Sequence, residues 1–179
     1  MSHKQDSPMS DIGFRFMSLF FRVRDLFRSP LKVLQKVDIR DGQTILDFGC
    51  GPGSYTIPVA RIVGKNGKVY ALDIHPLAVK TVENKAKKES LTNITPIISD
   101  RDTGLPDESV DVTLLYDTIH SIDDKQALLA ELHRVIKPKG LLSILVDHMK
   151  VEDVVEIAEK DGRFSLKEQD GNLLNFERE

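Results

Sequence analysis

Apolar positions along this chain fall into two alternating arrangements. Short runs such as QTILDFG (43–49), KVYALDI (68–74), ITPIISD (94–100), VDVTLLYD (110–117) and GLLSILVD (140–147) are nearly continuous in apolar character, as strands buried on both faces are. Longer segments with helical spacing lie between them: SYTIPVARIVG (54–64), PLAVKTVENKAKKESL (76–91), DDKQALLAELHRVIK (123–137) and KVEDVVEIAEKDG (150–162). Gly64 closes the first of these, with Pro58 in its first turns, where proline costs least. Pro76 opens the second, and Lys85, Lys87 and Lys88 form its solvated basic end, as the helix dipole favours. The alternation predicts a parallel sheet with helices on both faces, because parallel neighbours need long right-handed crossovers. It breaks at the end, where RFSLKEQ (163–169) and LLNFERE (173–179) flank Asp170-Gly171-Asn172, a hairpin signal. The expected fold class is α/β: a doubly wound, mostly parallel seven-stranded Rossmann-like sheet with a C-terminal antiparallel hairpin.

Composition adds bounds. The 179 residues, 40% hydrophobic and 30% charged, suit one soluble domain with one sizeable core. A single cysteine, Cys50, excludes an internal disulfide framework and a multi-cysteine zinc site. The histidines and acids show no metal-ligand spacing either, so no metal is expected and a reducing, cytoplasmic setting fits. The net charge of -3 lacks the basic excess of a phosphate-backbone binder, so no nucleic-acid partner is expected. The charge is uneven, however. Residues 1–40 hold eight Lys/Arg against four Asp/Glu, a balance of +4, which leaves -7 on the rest. This N-terminal arm is therefore distinct from the domain expected over residues 41–179.

The arm opens with a polar lead, residues 1–10, expected to be loose. Its segment IGFRFMSLFFRVRDLFRSP is apolar, but arginines at 15, 22, 24 and 28 interrupt it too often for a membrane span of about 20 apolar residues, and it lacks the uninterrupted apolar stretch of a signal peptide. No stable membrane insertion is expected. Five of the eight phenylalanines, at 14, 16, 20, 21 and 27, lie here. Three roles suit such a helix: packing on the sheet, a lid over a site, or attachment to a membrane surface.

The chemistry starts at ILDFGCGPGSYT. A glycine turn after the first strand of such a sheet lets a ligand approach backbone that no Cβ shields. The dinucleotide fingerprint G-x-G-x-x-G is not met: counting from Gly49 the sixth residue is Ser54, and the third glycine, Gly53, comes one position early. Asp47, at the strand's carboxyl end, would repel a pyrophosphate but suits a cationic ligand such as an ammonium group.

These residues resemble the D-x-G-x-G-x-G motif of class I S-adenosylmethionine-dependent methyltransferases, which likewise follows a strand and opens a helix. The resemblance runs from about Gln43 to Val146. SDRDTGLPDESVDVTLLYD is similar to the family's block around the third and fourth strands, and LLAELHRVIKPKGLLSI to the fifth-strand segment of its small-molecule branch. It implies S-adenosyl-L-methionine as the cofactor, with Asp47, Gly49, Cys50, Gly51 and Gly53 around it, Asp73 accepting hydrogen bonds from the ribose hydroxyls, and Asp100 facing the adenine amino group. Ile74, Arg101 and Tyr116 complete the implied set. The N-P-P-Y or D-P-P-Y tetrapeptide of the branch that methylates base or amide nitrogen is missing; YDTIHS stands there instead. The implied activity is methyl transfer to a small-molecule acceptor by in-line displacement. The alternatives are an NAD-dependent oxidoreductase and a non-catalytic S-adenosylmethionine-binding protein.

Such a displacement needs alignment and exclusion of water, and a base only where the acceptor loses a proton. His120, Asp147 and His148 follow strand ends on the ligand-binding side of the sheet and are the catalytic candidates. Adjacent residues on a strand point to opposite faces, so Asp147 and His148 need not act together. His120 has an equal claim as a helix-start residue. Cys50 is expected to pack rather than to react, and His75 to be an exposed loop residue.

Overall fold

The computed structural model describes residues 8–27 and 29–179. Most of the expected polar lead, residues 1–7, and Arg28 lie outside them. Among the described residues, seven strands form one sheet: β1 (Thr44–Phe48), β2 (Lys68–Asp73), β3 (Ile94–Ile98), β4 (Val110–Tyr116), β5 (Ile136–Leu145), β6 (Phe164–Asp170) and β7 (Leu173–Arg178). Their spatial order is β3-β2-β1-β4-β5-β7-β6. The pairs through β5 are parallel, and β7 enters antiparallel between β5 and β6. The expected sheet and its antiparallel hairpin are both present.

Six α-helices among the described residues accompany the sheet: α1 (Asp11–Phe27), α2 (Pro30–Leu34), α3 (Thr56–Ile62), α4 (Pro76–Lys88), α5 (Lys125–Val135) and α6 (Val151–Glu159). Their starts follow local chemistry. The His75 ring accepts the Leu77 amide at 3.2 Å ahead of Pro76, and the Asp124 carboxylate accepts the Ala127 amide at 3.0 Å, so each satisfies an amide that the first turn leaves without a partner. Strand alternation sends neighbours to opposite faces. Ile45 joins Val59 of α3, Val63 at its end and Leu34 of α2, whereas Leu46 joins Leu128 and Leu132 of α5 and Val154 of α6. Leu34 and Val37 belong to the arm by sequence, yet they pack in the same cluster as β1 and α3.

One boundary differs from expectation. The fifth strand begins at Ile136, inside the segment read as the end of a helix. Ile136 turns to extended backbone and pairs with Val110, the next pair is Val112 with Leu141, and Lys137 to Gly140 bulge out between them. Pro138 sits in that bulge, where no ladder amide is required of it.

A buried polar chain crosses the sheet. The Tyr116 hydroxyl lies 2.9 Å from Ser143 Oγ, Ser143 donates to Asn175 Oδ1 at 2.7 Å, and Asn175 Nδ2 donates to the Lys36 carbonyl at 3.0 Å. It joins β4, β5 and β7 to the arm just beyond α2. Replacing Asn175 with Ala strands the Lys36 carbonyl and removes an acceptor from Ser143, at a cost of about 2–4 kcal/mol. Urea denaturation is expected to show that loss for Asn175→Ala, and a change within about 0.5 kcal/mol for Asn172→Ala, since Asn172 is exposed.

Candidate active site

The strand order reverses around β1, which lies between β2 and β4, and open α/β sheets bind ligands in the crevice at such a point. A cavity of about 780 Å³ opens there. Asp47, Asp73, Asp100, Asp117 and Asp147 reach it from the carboxyl ends of the five parallel strands.

Backbone hydrogen bonds fix the glycine turn. The amides of Gly49 and Cys50 donate to the Leu72 carbonyl at 2.8 and 2.9 Å, which ties the turn to the end of β2. All three glycines have positive φ, but their surroundings differ. A Cβ on Gly49 would lie 2.2 Å from Thr118 Oγ1, and one on Gly53 would lie 3.0 Å from Val82 Cγ2 of α4. A Cβ on Gly51 would meet nothing nearer than Phe21 Cε2 at 3.8 Å, so Gly51 presents its backbone to open space. Gly49 and Gly51 line the cavity, whereas Gly53 stands where α4 packs against the turn.

Two acids flank the turn. The Asp73 carboxylate accepts the amides of Gly51 and His75, each at 2.8 Å. Burial raises its pKa, and those two amides oppose the shift. Asp47 is 3% exposed and accepts the Thr56 hydroxyl. Burial, with the nearby charge of Asp73 adding and the Thr56 hydrogen bond opposing, pushes its carboxyl up to about 7. Cys50 is buried, and burial followed by the charges of Asp47 and Asp73 pushes its thiol up, away from the reactive thiolate.

The opposite wall gathers the catalytic candidates. His120, in a single 3₁₀ turn (Ile119–Ser121), meets His148 edge to face, their ring centroids 4.7 Å apart. Burial, then His148 and Lys125, lowers the His120 pKa. Asp147 lines the same wall and interacts with Asp117, an acid that the sequence reading passed over. Burial raises the Asp117 pKa, the Arg24 guanidinium lowers it, and the charge of Asp147 raises it again. Asp117 has φ 53°, a conformation uncommon outside glycine that Asp tolerates better than most. Its signal in the sequence was its place, directly after the fourth strand.

The roof is α1. Phe14, Met17, Phe20, Phe21 and Arg24 line the cavity from above. Phe14 is buried and stacks on the His75 ring at 4.6 Å. Arg24 forms an ion pair with Asp117, contacts Asp25 at 3.1 Å, and sits 4.3 Å from the Phe21 ring centroid. Asp25 accepts the Ser54 hydroxyl from the glycine turn. His75, expected on an exposed loop, is 4% exposed because Phe14 covers it.

Of the remaining sequence candidates, Ile74, Asp100 and Tyr116 line the cavity. Arg101 does not: its guanidinium turns toward Asp124, 3.7 Å away. Among the lining residues that the sequence did not single out, Arg24 comes from the roof helix, and Asp117, Thr118 and Ile122 come from the segment after β4.

Comparison with known proteins agrees with this geometry. Residues 39–177 match the family model described as a methyltransferase domain. The demethylmenaquinone methyltransferase of Geobacillus stearothermophilus is 34% identical over 120 residues, which cover 64% of this chain and 51% of that protein. The chain spans about half the length of the curated relatives it matches. A SAM-dependent methyltransferase from Aquifex aeolicus superposes with a TM-score of 0.72 at 29% identity, covering 83% of this chain and 87% of that one. A Methanococcus maripaludis protein, 15% identical, shares the fold over 100% of this chain and 97% of its own, with a TM-score of 0.81. The chain belongs to the class I S-adenosylmethionine-dependent methyltransferase family.

Proposed function

We propose that this protein transfers a methyl group from S-adenosyl-L-methionine to a small, apolar acceptor held beneath α1. One observation carries this reading: the open backbone at Gly51, the acids Asp47 and Asp73, and the Asp117–Asp147–His120–His148 cluster all line a single cavity under a Phe-rich roof. The Geobacillus relatives are named demethylmenaquinone methyltransferases, and a quinone-like ring suits the apolar faces of Phe14, Met17, Phe20, Phe21 and Ile122.

S-adenosylmethionine would supply an activated methyl group on its sulfonium, and the sulfur would leave with the electron pair of the broken carbon–sulfur bond as the acceptor took the methyl. The chain's own residues bind, orient and exclude water. Gly51 admits the cofactor close to the backbone. Asp73, oriented by the Gly51 and His75 amides, keeps lone pairs for the ribose hydroxyls. Asp47 holds the ammonium group. Asp100, Ile74 and Tyr116 border the adenosine and the methyl path, with Gly49 and Cys50 packing beneath. The inner face of residues 11–27 acts as the lid over the domain of residues 41–179, shielding the transfer from water. The acceptor's proton passes to the far cluster, where His120 and His148 are the bases. The depressed pKa of His120 keeps its ring neutral and able to accept a proton, and the Arg24 guanidinium, paired with Asp117, partly offsets the upward shift that burial imposes on that carboxyl. A reducing cytoplasm suits the free Cys50 thiol.

Turnover tests the proposal directly. Incubation with methyl-labelled S-adenosylmethionine and demethylmenaquinone is expected to move the label into the quinone, read by mass spectrometry. Tight cofactor binding with no labelled product, from this acceptor or from a cell extract, would instead leave a binding protein.

Calorimetry is expected to show S-adenosylmethionine and S-adenosylhomocysteine binding far more tightly than NAD. Asp73→Ala loses charge-assisted hydrogen bonds worth about 1.5–3 kcal/mol, roughly tenfold or more in affinity.

Asp47 adds a pH dependence. Its folded-state pKa of about 7 stands above the ordinary aspartate value of 3.8, so the folded protein keeps a proton there that the unfolded chain has released. That proton makes stability fall as pH rises from about 4 to about 7 and level off above. An ammonium ligand prefers the ionised carboxylate, so cofactor affinity should rise between about pH 6 and 8. Asp47→Asn is expected to raise the melting temperature at pH 8, weaken cofactor binding and flatten its pH profile, as measured by thermal denaturation and calorimetry across that range.

A further inference from the structure

The inner side of α1 faces the cavity, but its outer side has no partner among the described residues. Ile12 is 69% exposed, Leu26 82% and Phe27 86%, and Phe16, Leu19 and Val23 are each about half exposed or more. At 3.6 residues per turn these six occupy one arc of roughly 100° on the helix. The helix is therefore apolar on two sides: Phe14, Met17 and Phe21 point inward, and a second row points to solvent. A contiguous exposed row of large apolar side chains marks an interaction surface.

Charge identifies what covers it. Arg15 and Arg22 are exposed and border the row along one edge, while Arg24 is turned inward to Asp117. The row lies within the N-terminal 40 residues, whose charge balance is +4 against -7 on the rest of the sequence. A negatively charged plane would attract the arm, repel the body and so orient the helix face-on. A single convex row also needs no complementary groove. Of two further hollows, the one beside α5 and α6 is lined by Asp123, Asp124, Lys125, Gln126, Glu156 and Lys160 around Ile157, which is too polar to receive such a row from a second copy, and the one beside α2 interleaves Lys36, Asp38 and Glu168 with its apolar residues. No helix among the described residues is long and apolar enough to cross a membrane, so attachment lies in the interface.

We infer that the outer face of α1 docks on the surface of an anionic lipid bilayer, with Ile12, Phe16, Leu19, Val23, Leu26 and Phe27 entering the headgroup boundary and Arg15 and Arg22 contacting acidic headgroups. Phe20, which is exposed yet also borders the cavity, then stands where the lipid meets the site. The inference requires no methyl transfer and can hold or fail independently of it.

The test is co-sedimentation of the full chain with phosphatidylcholine vesicles, with and without phosphatidylglycerol. Binding is expected to the mixed vesicles, weakening as salt rises, with little binding to the neutral ones. The double variant Phe16→Ser/Leu26→Ser should lower partitioning at least about tenfold, because it removes two deep apolar anchors. Arg15→Glu/Arg22→Glu should lose the preference for the acidic lipid. Both variants alter exposed side chains that do not line the cavity, so melting temperature and cofactor affinity should stay at wild-type values. If the apolar variant loses its fold, the arginine variant decides alone. Absence of binding to either vesicle, or partitioning unchanged in the arginine variant, would overturn the inference. Self-association abolished by Phe16→Ser/Leu26→Ser, without vesicle binding, would give the face to a second copy of the chain.

Discussion

Four backbone amides converge on the carboxyl end of β2, and the site depends on them. Gly49 and Cys50 donate to the Leu72 carbonyl, and Gly51 and His75 donate to the Asp73 carboxylate. The first pair sets how far the turn after β1 leans toward β2; the second orients the carboxylate. Each bond contributes only about 0.5–1.5 kcal/mol net, or up to about 3 where the acceptor is charged. Their value lies in removing freedom, since a turn held at several points cannot drift from the acid that shares its ligand. The opening at Gly51 follows from this frame, because Gly49 is closed by Thr118 and Gly53 by α4.

The electrostatics of the cavity are one-sided. Asp47, Asp73, Asp100, Asp117 and Asp147 line it, and Arg24 is the only Lys or Arg among the described lining residues. Buried carboxyls in such company resist ionisation, as the upward shifts of Asp47, Asp73 and Asp117 reflect. The site thus carries a standing electrostatic cost that a cationic ligand relieves. Stability is given up where binding takes place, as is common at functional sites.

The sheet was legible in the sequence because buried parallel strands write themselves as apolar runs, and the hairpin because Asp170-Gly171 sits between two such runs. The near side of the cavity was legible for the same reason: Asp47, Gly51 and Asp73 lie within a few residues of strand ends that periodicity locates. The roof was not. Arg24 and Asp117 are 93 residues apart, and nothing local to either implies the other. His75 was misjudged because its cover, Phe14, comes from α1, and the bulge in β5 was missed because the residues before it continue a helical pattern. Arg101 follows Asp100 directly, yet neighbours in sequence can part company at a strand end; it turned to Asp124.

The hydrogen bond from Asn175 to the Lys36 carbonyl spans 139 residues, and this separation gives assembly a direction in time. During synthesis Lys36 leaves the ribosome long before Asn175 does. The strand order adds to the delay, because β7 inserts between β5 and β6 and all three must exist before it is enclosed. Throughout that interval the arm just beyond α2 lacks its far anchor, and the Phe-rich helix before it has no finished cavity to cover. The Phe-rich helix is therefore synthesised well before the strand that anchors the segment behind it, and over that interval its apolar faces are exposed to association.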